Sequence, residues 1–185
     1  GPRAAAVARD YMSRHVDNSQ DAGLDPRIIT LNTTVYMNLY DHLVGSGTVA
    51  FIDVGHRTTN ICIVEEGVLR MARSIGRGSI AVTRAIADKM SLSFEDAETL
   101  KHTDGALPFG PLEINPTISE ACIEALQPIV LGIRQSLMAH QQEHKPVSQV
   151  LVSGGGARLR SFLPWLQQQL GTTVKRTPME KLEFN

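Results

Sequence analysis

Phe51-Ile52-Asp53-Val54-Gly55-His56-Arg57-Thr58-Thr59-Asn60 runs directly into Ile61-Cys62-Ile63-Val64. An apolar strand delivers an aspartate and a glycine into a tight turn. Two threonines and an asparagine then open a second apolar strand. Such a hairpin aims backbone N–H groups, hydroxyls and one carboxylate at a point beyond its tip. That is the chemistry needed to hold a phosphate and its magnesium. An ordinary hairpin whose polar turn faces water has the same pattern. The hairpin alone leaves both readings open, and the flanking sequence has to decide.

Upstream, Ala4–Gln20 has helical composition, and Gly23-Leu24-Asp25-Pro26 is a stop and turn. Arg27–Leu31 reads as a short β-type run. Asn32 can cap a helix to about Val44, with Val35, Leu39 and His42 or Leu43 at helical spacing. Three strands follow, Val49–Val54, Ile61–Val64 and Val68–Ser74, with a turn at Glu65-Glu66-Gly67. Gly76-Arg77-Gly78 ends this meander. Ser79 is placed to cap a helix with Ile80, Thr83, Ile86, Ala87 and Met90 on one face. Ser93 with Asp96 is a near capping box for the next helix. Thr103–Pro116 holds three prolines and two glycines and reads as loop. A helix over Thr117–Glu143 follows, in which Pro128 predicts a kink or break. Val150-Leu151-Val152 is a buried strand. An amphipathic helix near Leu159–Leu170 and a short strand at Thr172–Arg176 complete the pattern.

The bulk properties bound the function. The chain has 185 residues, 42% hydrophobic and 20% charged, which suits one compact domain with room for two subdomains. Net charge is −1 and no basic stripe is present, which argues against nucleic-acid binding. Cys62 and Cys122 sit in apolar contexts without metal-ligand spacing and read as small buried hydrophobes in a reducing compartment. No apolar run approaches the roughly 20 residues of a membrane span, and no signal peptide opens the chain. Gly1-Pro2 looks like the remnant of a cleaved tag, which implies an excised piece of a longer protein.

Two further motifs bear on the hairpin. Ser153-Gly154-Gly155-Gly156-Ala157-Arg158 follows a strand and precedes a helix, so backbone can approach a flat or charged ligand closely with a helix N-terminus behind it. It lacks GxGxxG spacing and an acidic strand end, which disfavours a dinucleotide fold. A purely structural strand-to-helix turn explains three glycines equally well. Glu98 and Lys101 stand three apart on one helix face, and a solvated ion pair is the simple explanation. His140-Gln141-Gln142-Glu143-His144 spells the H-x-x-E-H of some zinc peptidases. Lys145-Pro146 ends the helix at once and no third ligand is evident, so it reads as an exposed polar helix end. Trp165 reads as a packing residue, and Arg158 and Arg160 can be solvated.

Taken in order, these motifs resemble the second lobe of the actin-like superfamily, which includes actin, sugar kinases, heat-shock chaperones and FtsA. The similarity is greatest to PilM of type IV pili and the cytoplasmic part of GspL of type II secretion. It rests on Ala50–Gly55 with Thr58-Thr59, Ser91–Glu98 through Lys101, Ile133–Leu137, Val150–Leu159 and Leu170-Gly171, with Gly23–Pro26 as lead-in. The resemblance implies an α/β, actin-like (ribonuclease H-like) second lobe: a mixed sheet flanked by helices with a small inserted subdomain. Residues 1–48 would be a lead-in from the first lobe and inter-lobe helix. Residues 49–75 and 117–185 would form the core subdomain, and residues 76–116 the insertion.

The resemblance also implies roles. Asp53 would orient magnesium through water, with no metal bound directly. Gly55, Thr58, Thr59 and Asn60 would form the second phosphate loop. Glu98 and Lys101 would flank ribose and base, and Gly154, Gly155, Gly156 and Arg158 would line the adenosine pocket. His56 and Arg57 depart from the small residues many relatives place in this loop, so they either crowd the γ-phosphate or, through Arg57, pair with it. Gly76-Arg77-Gly78 departs from the adjacent glycines of relatives. The first lobe, with the other phosphate loop, is missing. ATP and magnesium therefore belong to the intact protein, and none is expected on this chain alone, nor any hydrolysis. The implied function is a cytoplasmic scaffold under the bacterial inner membrane, linking an assembly ATPase to bitopic membrane proteins, with homodimerisation open. An ATP-consuming enzyme of the same fold, or an FtsA-like polymerising protein, are the alternatives.

Overall fold

A computed structural model describes residues 8–29, 32–111 and 113–178. The chain separates into two compact units, 1–34 and 35–185. In the first, helix α1 (Arg9–Asp21) buries none of its residues. Arg27–Ile29 lies in no strand, and Ile28 and Ile29 are exposed. The β-type run expected there is absent among the described residues: a strand needs a neighbour to satisfy its N–H and C=O groups. Residues 30–31 of that run lie outside the described residues, as do residues 4–7 of the expected first helix.

The second unit is built on five strands: β1 (Thr48–Val54), β2 (Thr59–Glu65), β3 (Val68–Ile75), β4 (Gln149–Ser153) and β5 (Thr173–Arg176). Their order is β3-β2-β1-β4-β5. The hairpins β1–β2 and β2–β3 are antiparallel, whereas β4 and β5 add in parallel, so the sheet is mixed. The β2–β3 turn uses Glu66 and Gly67, with φ of 46° and 73°. Two positive φ values match the right-handed twist of the flanking strands. A bulge between Ile63 and Val64 leaves Arg70 unpaired in the ladder.

Alternation along β1 divides the interior. Ala50, Ile52 and Val54 face a core shared with α3 (Ile80–Met90), α5 (Pro116–Gln141) and α6 (Phe162–Leu170). Val49 and Phe51 face the other side, against α2 (Asn32–Leu43). The anchors of α2 are Tyr36 and Tyr40, at 9% and 1% exposure, not Val35, which is half exposed. The face expected from Val35, Leu39 and His42 or Leu43 is therefore rotated by one position, with Leu39 half-buried at its edge. The two rings spaced i, i+4 carry more apolar area than the aliphatic set.

Local rules explain most helix ends. Asn115 accepts from the N–H groups of Thr117 and Ile118, and Pro116 opens α5. Ser93 accepts from Asp96 N–H to start α4 (Phe94–Thr103). Ser79 precedes α3 but makes no side-chain cap bond. Val82, absent from the expected face of α3, is fully buried. Pro128 does not break α5, which runs as one helix of 26 residues. Its buried stripe continues from Leu126 to Ile129 and Val130, while Pro128 itself is exposed. Water can satisfy the carbonyl freed one turn earlier, and core burial on both sides holds the helix together.

Candidate functional site

The C-terminal end of β1 brings the hairpin and the glycine bend into contact. Asp53 is half-buried and, by strand alternation, lies on the α2 face of the sheet. Ser153 Oγ donates to Asp53 Oδ1 at 3.3 Å. In register, Asp53 is opposite Asn60 on one side and Ser153 on the other, and Asn60 is opposite Ser74. A polar row therefore crosses four strands at this end. Gly154 has φ of +88°, and a Cβ there would stand 2.6 Å from Asp53 Oδ1 and 2.7 Å from the Val54 carbonyl carbon. Only glycine lets the bend close on the carboxylate. Gly156 is buried against Val54, where a Cβ would lie 2.5 Å from Cγ1. Gly155 is exposed and meets nothing within 4 Å, and Arg158 is exposed.

The bend continues as one 3-10 turn, Gly155–Arg158, and α6 starts only at Phe162. The helix expected near Leu159–Leu170 thus starts at Phe162, and a single 3-10 turn, not its N-terminus, stands directly behind the glycines. A left-handed Ser161 then separates it from α6.

The hairpin tip is clamped by backbone. Gly55 N donates to Thr58 O at 2.9 Å and closes the turn. Ser79 N and Ile80 N, at the start of α3, donate to Gly55 O and His56 O, both at 2.9 Å. Two of the orphan N–H groups of that helix end are therefore spent on the hairpin. Gly78 permits the approach, since a Cβ there would meet His56 O at 2.6 Å. Thr59 is fully buried and its Oγ1 donates to Arg77 O at 2.9 Å, so its hydroxyl fastens the loop. Thr58 is exposed, and Asn60 is half-buried beside Asp53.

Glu98 and Lys101 are an interior pair. Lys101 is 7% exposed, and its Nζ donates to both Glu98 oxygens at 2.7 Å and to Thr83 Oγ1 at 3.0 Å. Thr83 Oγ1 also bonds Glu98 Oε2, tying α3 to α4. Burial alone would raise the Glu98 pKa, but the hydrogen bonds from Lys101 and Thr83 outweigh it and hold the carboxyl at about 2. The pair is thus a helix–helix pin and not the solvated ion pair that spacing suggests. It reaches the glycine bend through backbone. Gly105 N donates to Lys101 O, Arg160 N donates to Gly105 O, and Ala106 and Arg160 form a parallel bridge.

Tyr36 is the site residue that motif reading misses. Its ring stacks on Phe51 with centroids 5.5 Å apart. Burial pushes its pKa up to about 12, the Asp53 carboxylate adds to the rise, and a Ser153 hydrogen bond opposes it. The phenol is therefore a donor and not a base at neutral pH. The available signal was the Tyr36/Tyr40 repeat, but nothing in the sequence links it to Asp53.

Other features lie elsewhere. A pocket lined by Phe109, Pro164 and Thr173 sits toward the opposite end of the sheet, since Thr173 pairs with Gln149 at the start of β4. The H-x-x-E-H segment also falls there. His140 is 2% exposed, stacks on His144 at 4.9 Å, and donates from Nε2 to Lys145 O. It is not the exposed helix end expected from sequence, because α5 delivers it inward beside Glu65. Among the described residues no cluster of three or more histidine, cysteine or acidic side chains could hold a metal. Cys62 and Cys122 are both buried, as read, and burial raises Cys122 to about 11.

Comparison with known proteins bears on this architecture. A search of curated proteins found no match. Solved structures do match. The PilM–PilN type IV pilus biogenesis complex aligns with a TM-score of 0.76 at 20% identity, covering 94% of this chain and 49% of that one. MreB5 of Spiroplasma citri bound to AMPPNP aligns with a TM-score of 0.73 at 15% identity, covering 94% and 61%. The ethanolamine utilization protein EutJ from Carboxydothermus hydrogenoformans aligns at 0.66 and 20% identity, covering 92% and 57%. The chain thus spans about half to three-fifths of the length of these structures, and the shared fold is actin-like, of the FtsA/PilM type. The family model of the cell division protein FtsA matches residues 50–178, from β1 to just past β5. With more than half of its 185 residues matched, the chain belongs to the family of the cell division protein FtsA.

Proposed function

We propose that this chain is the nucleotide-holding second lobe of an actin-like scaffold that acts at a membrane. One observation carries the reading: Asp53 sits where the glycine bend closes on its carboxylate and no Cβ fits at Gly154. That cradle suits a magnesium-bound phosphate, held through water by Asp53 beside Gly55, Thr58 and Asn60. Bound magnesium would neutralise phosphate charge. Thr59 keeps the loop in shape, and Glu98 with Lys101 braces the side on which ribose and base would lie. Gly154, Gly155 and Gly156 would let the adenosine approach, with Arg158 at its rim. In this reading residues 76–116 act as the small subdomain on a core made by 49–75 and 117–185, with 1–48 leading in from the other lobe. The AMPPNP in the similar MreB5 structure supports a nucleotide of this class.

The scaffold role draws on the PilM–PilN complex, in which the similar protein is assembled with a partner. A pilus or secretion platform is therefore the first reading, with an assembly ATPase and bitopic membrane proteins as partners at the cytoplasmic face. Among the described residues no helix is long and apolar enough to cross a membrane. The second reading is an FtsA-like polymerising protein, which the family match favours. Calorimetric titration of the intact two-lobed protein with ATP and magnesium tests the site. Heat that disappears in Asp53→Ala supports it, and no heat with the unmodified protein removes it. Sedimentation with nucleotide separates the two readings, since only the polymeriser pellets.

A further inference from the structure

The loop that the nucleotide reading uses for phosphate carries Arg57, and the Gly76–Gly78 link clamped to it carries Arg77. Arg57 and Arg77 are both exposed, and neither guanidinium has a hydrogen-bond or ion-pair partner among the described residues. Elsewhere on this unit the exposed arginines Arg134, Arg160 and Arg176 bond backbone carbonyls of Gln169, Asp104 and Ala157. Arg84 on α3 and Arg158 on the 3-10 turn are likewise exposed without a side-chain partner among the described residues, but only Arg57 and Arg77 share one loop cluster.

Their backbones are held together. Gly78, next to Arg77, packs against His56 O, next to Arg57. Thr59 Oγ1 bonds the Arg77 carbonyl, and the Arg77 N–H bonds Ile75 O at 2.8 Å. Arg57 stands in the turn that Gly55 N and Thr58 O close. The two side chains therefore leave fixed backbone on either side of the clamp, at the end of the sheet that holds Asp53. Two guanidiniums against one carboxylate give this loop a net positive charge. A guanidinium fork matches phosphate oxygens in geometry as well as charge.

We propose that Arg57 and Arg77 make the site selective for the length of the phosphate chain, so that a nucleoside triphosphate is held in preference to a diphosphate. This rests on the nucleotide reading of the same site. The alternative expected from sequence, that His56 and Arg57 crowd the terminal phosphate, requires their side chains to fill the loop. Both are exposed instead.

The test is a competition titration of the intact protein with ADP, with a non-hydrolysable ATP analogue and with inorganic triphosphate, for the unmodified protein and for Arg57→Gln/Arg77→Gln. The expected result is at least tenfold tighter binding of the triphosphate nucleotide. The ratio should fall to about one in the double variant, while ADP affinity changes less than twofold. Inorganic triphosphate should compete in the unmodified protein and fail in the variant, because the discrimination is carried by phosphate alone. A ratio near one in the unmodified protein, or an unchanged ratio in the variant, overturns the inference and leaves the site standing. Failure of the unmodified protein to bind either nucleotide overturns the site itself.

Discussion

At the end of the sheet where β1 finishes, charged side chains point outward without partners. At the end where β1 begins, they are consumed. Glu65 is 7% exposed, takes Arg70 Nε at 2.8 Å and Lys145 N at 3.4 Å, and lies 3.5 Å from His144 Nδ1. Burial would raise its pKa, but these donors outweigh it and lower it. The β2–β3 bulge frees Arg70 to reach back to it. Asp53, by contrast, accepts only the Ser153 hydroxyl among its described bonds, and the guanidiniums of Arg57 and Arg77 have no partner among the described residues. A saturated cluster holds elements together; an unsaturated one, on a rigid loop, is available to a ligand. The lesson is that the histidine motif with the more suggestive spelling packs inside, and the plain turn at Asp53 keeps the unsatisfied groups on which the proposed site rests.

The strongest way to break this contrast is Gly154→Ala. If the bend truly closes on Asp53, positive-φ strain and steric overlap should destabilise the fold by about 3 kcal/mol in denaturant titration. Glu98→Gln comes next. Lys101 would remain buried facing a neutral amide, a cost of about 1–2 kcal/mol once the part-exposure of Glu98 is discounted. A loss near zero would return the pair to the solvent and reopen it as a direct ligand.

Acid sharpens the contrast at the closed end. Burial lowers the His140 pKa, with His144 adding to the effect, and its Nδ1 is buried without a partner. Glu65 opposes the shift and Arg70 adds to it. A lowered histidine pKa means the unfolded chain binds the proton first. Stability is then complete above the ordinary value of 6.5 and declines as pH falls below it. Thermal midpoints recorded across this range should drop, and His140→Leu should flatten that slope. Further acid, below 4.5 and toward 2, should remove the Glu98 contribution. The smallest effects are expected at the open end: Gly155→Ala and Arg57→Gln should each change stability by less than about 0.5 kcal/mol. A large loss at Arg57 would mean that it has a structural partner after all.

Much of the second unit was legible in one dimension. The meander, its Glu66-Gly67 turn, the cap at Ser93 and the strand before the glycines follow from local chemistry, since each needs only neighbouring residues. Pro128 misled because the burial that carries α5 past it comes from other elements. The described part of the Arg27–Leu31 run, Arg27–Ile29, misled in the opposite sense, for want of a neighbouring strand in the described residues. Glu98 with Lys101 was visible as a pair, but its burial depended on Thr83, fifteen residues upstream of Glu98.

Sequence alone determined which residue types would meet at the end of β1, because strand alternation and turn chemistry dictate which way Asp53, Gly55 and Asn60 face. Only the tertiary structure decided which of them were left unsatisfied. Whether a buried lysine, a threonine hydroxyl or a histidine ring finds a partner depends on elements far away in the chain, and hydrogen bonding and desolvation act across space.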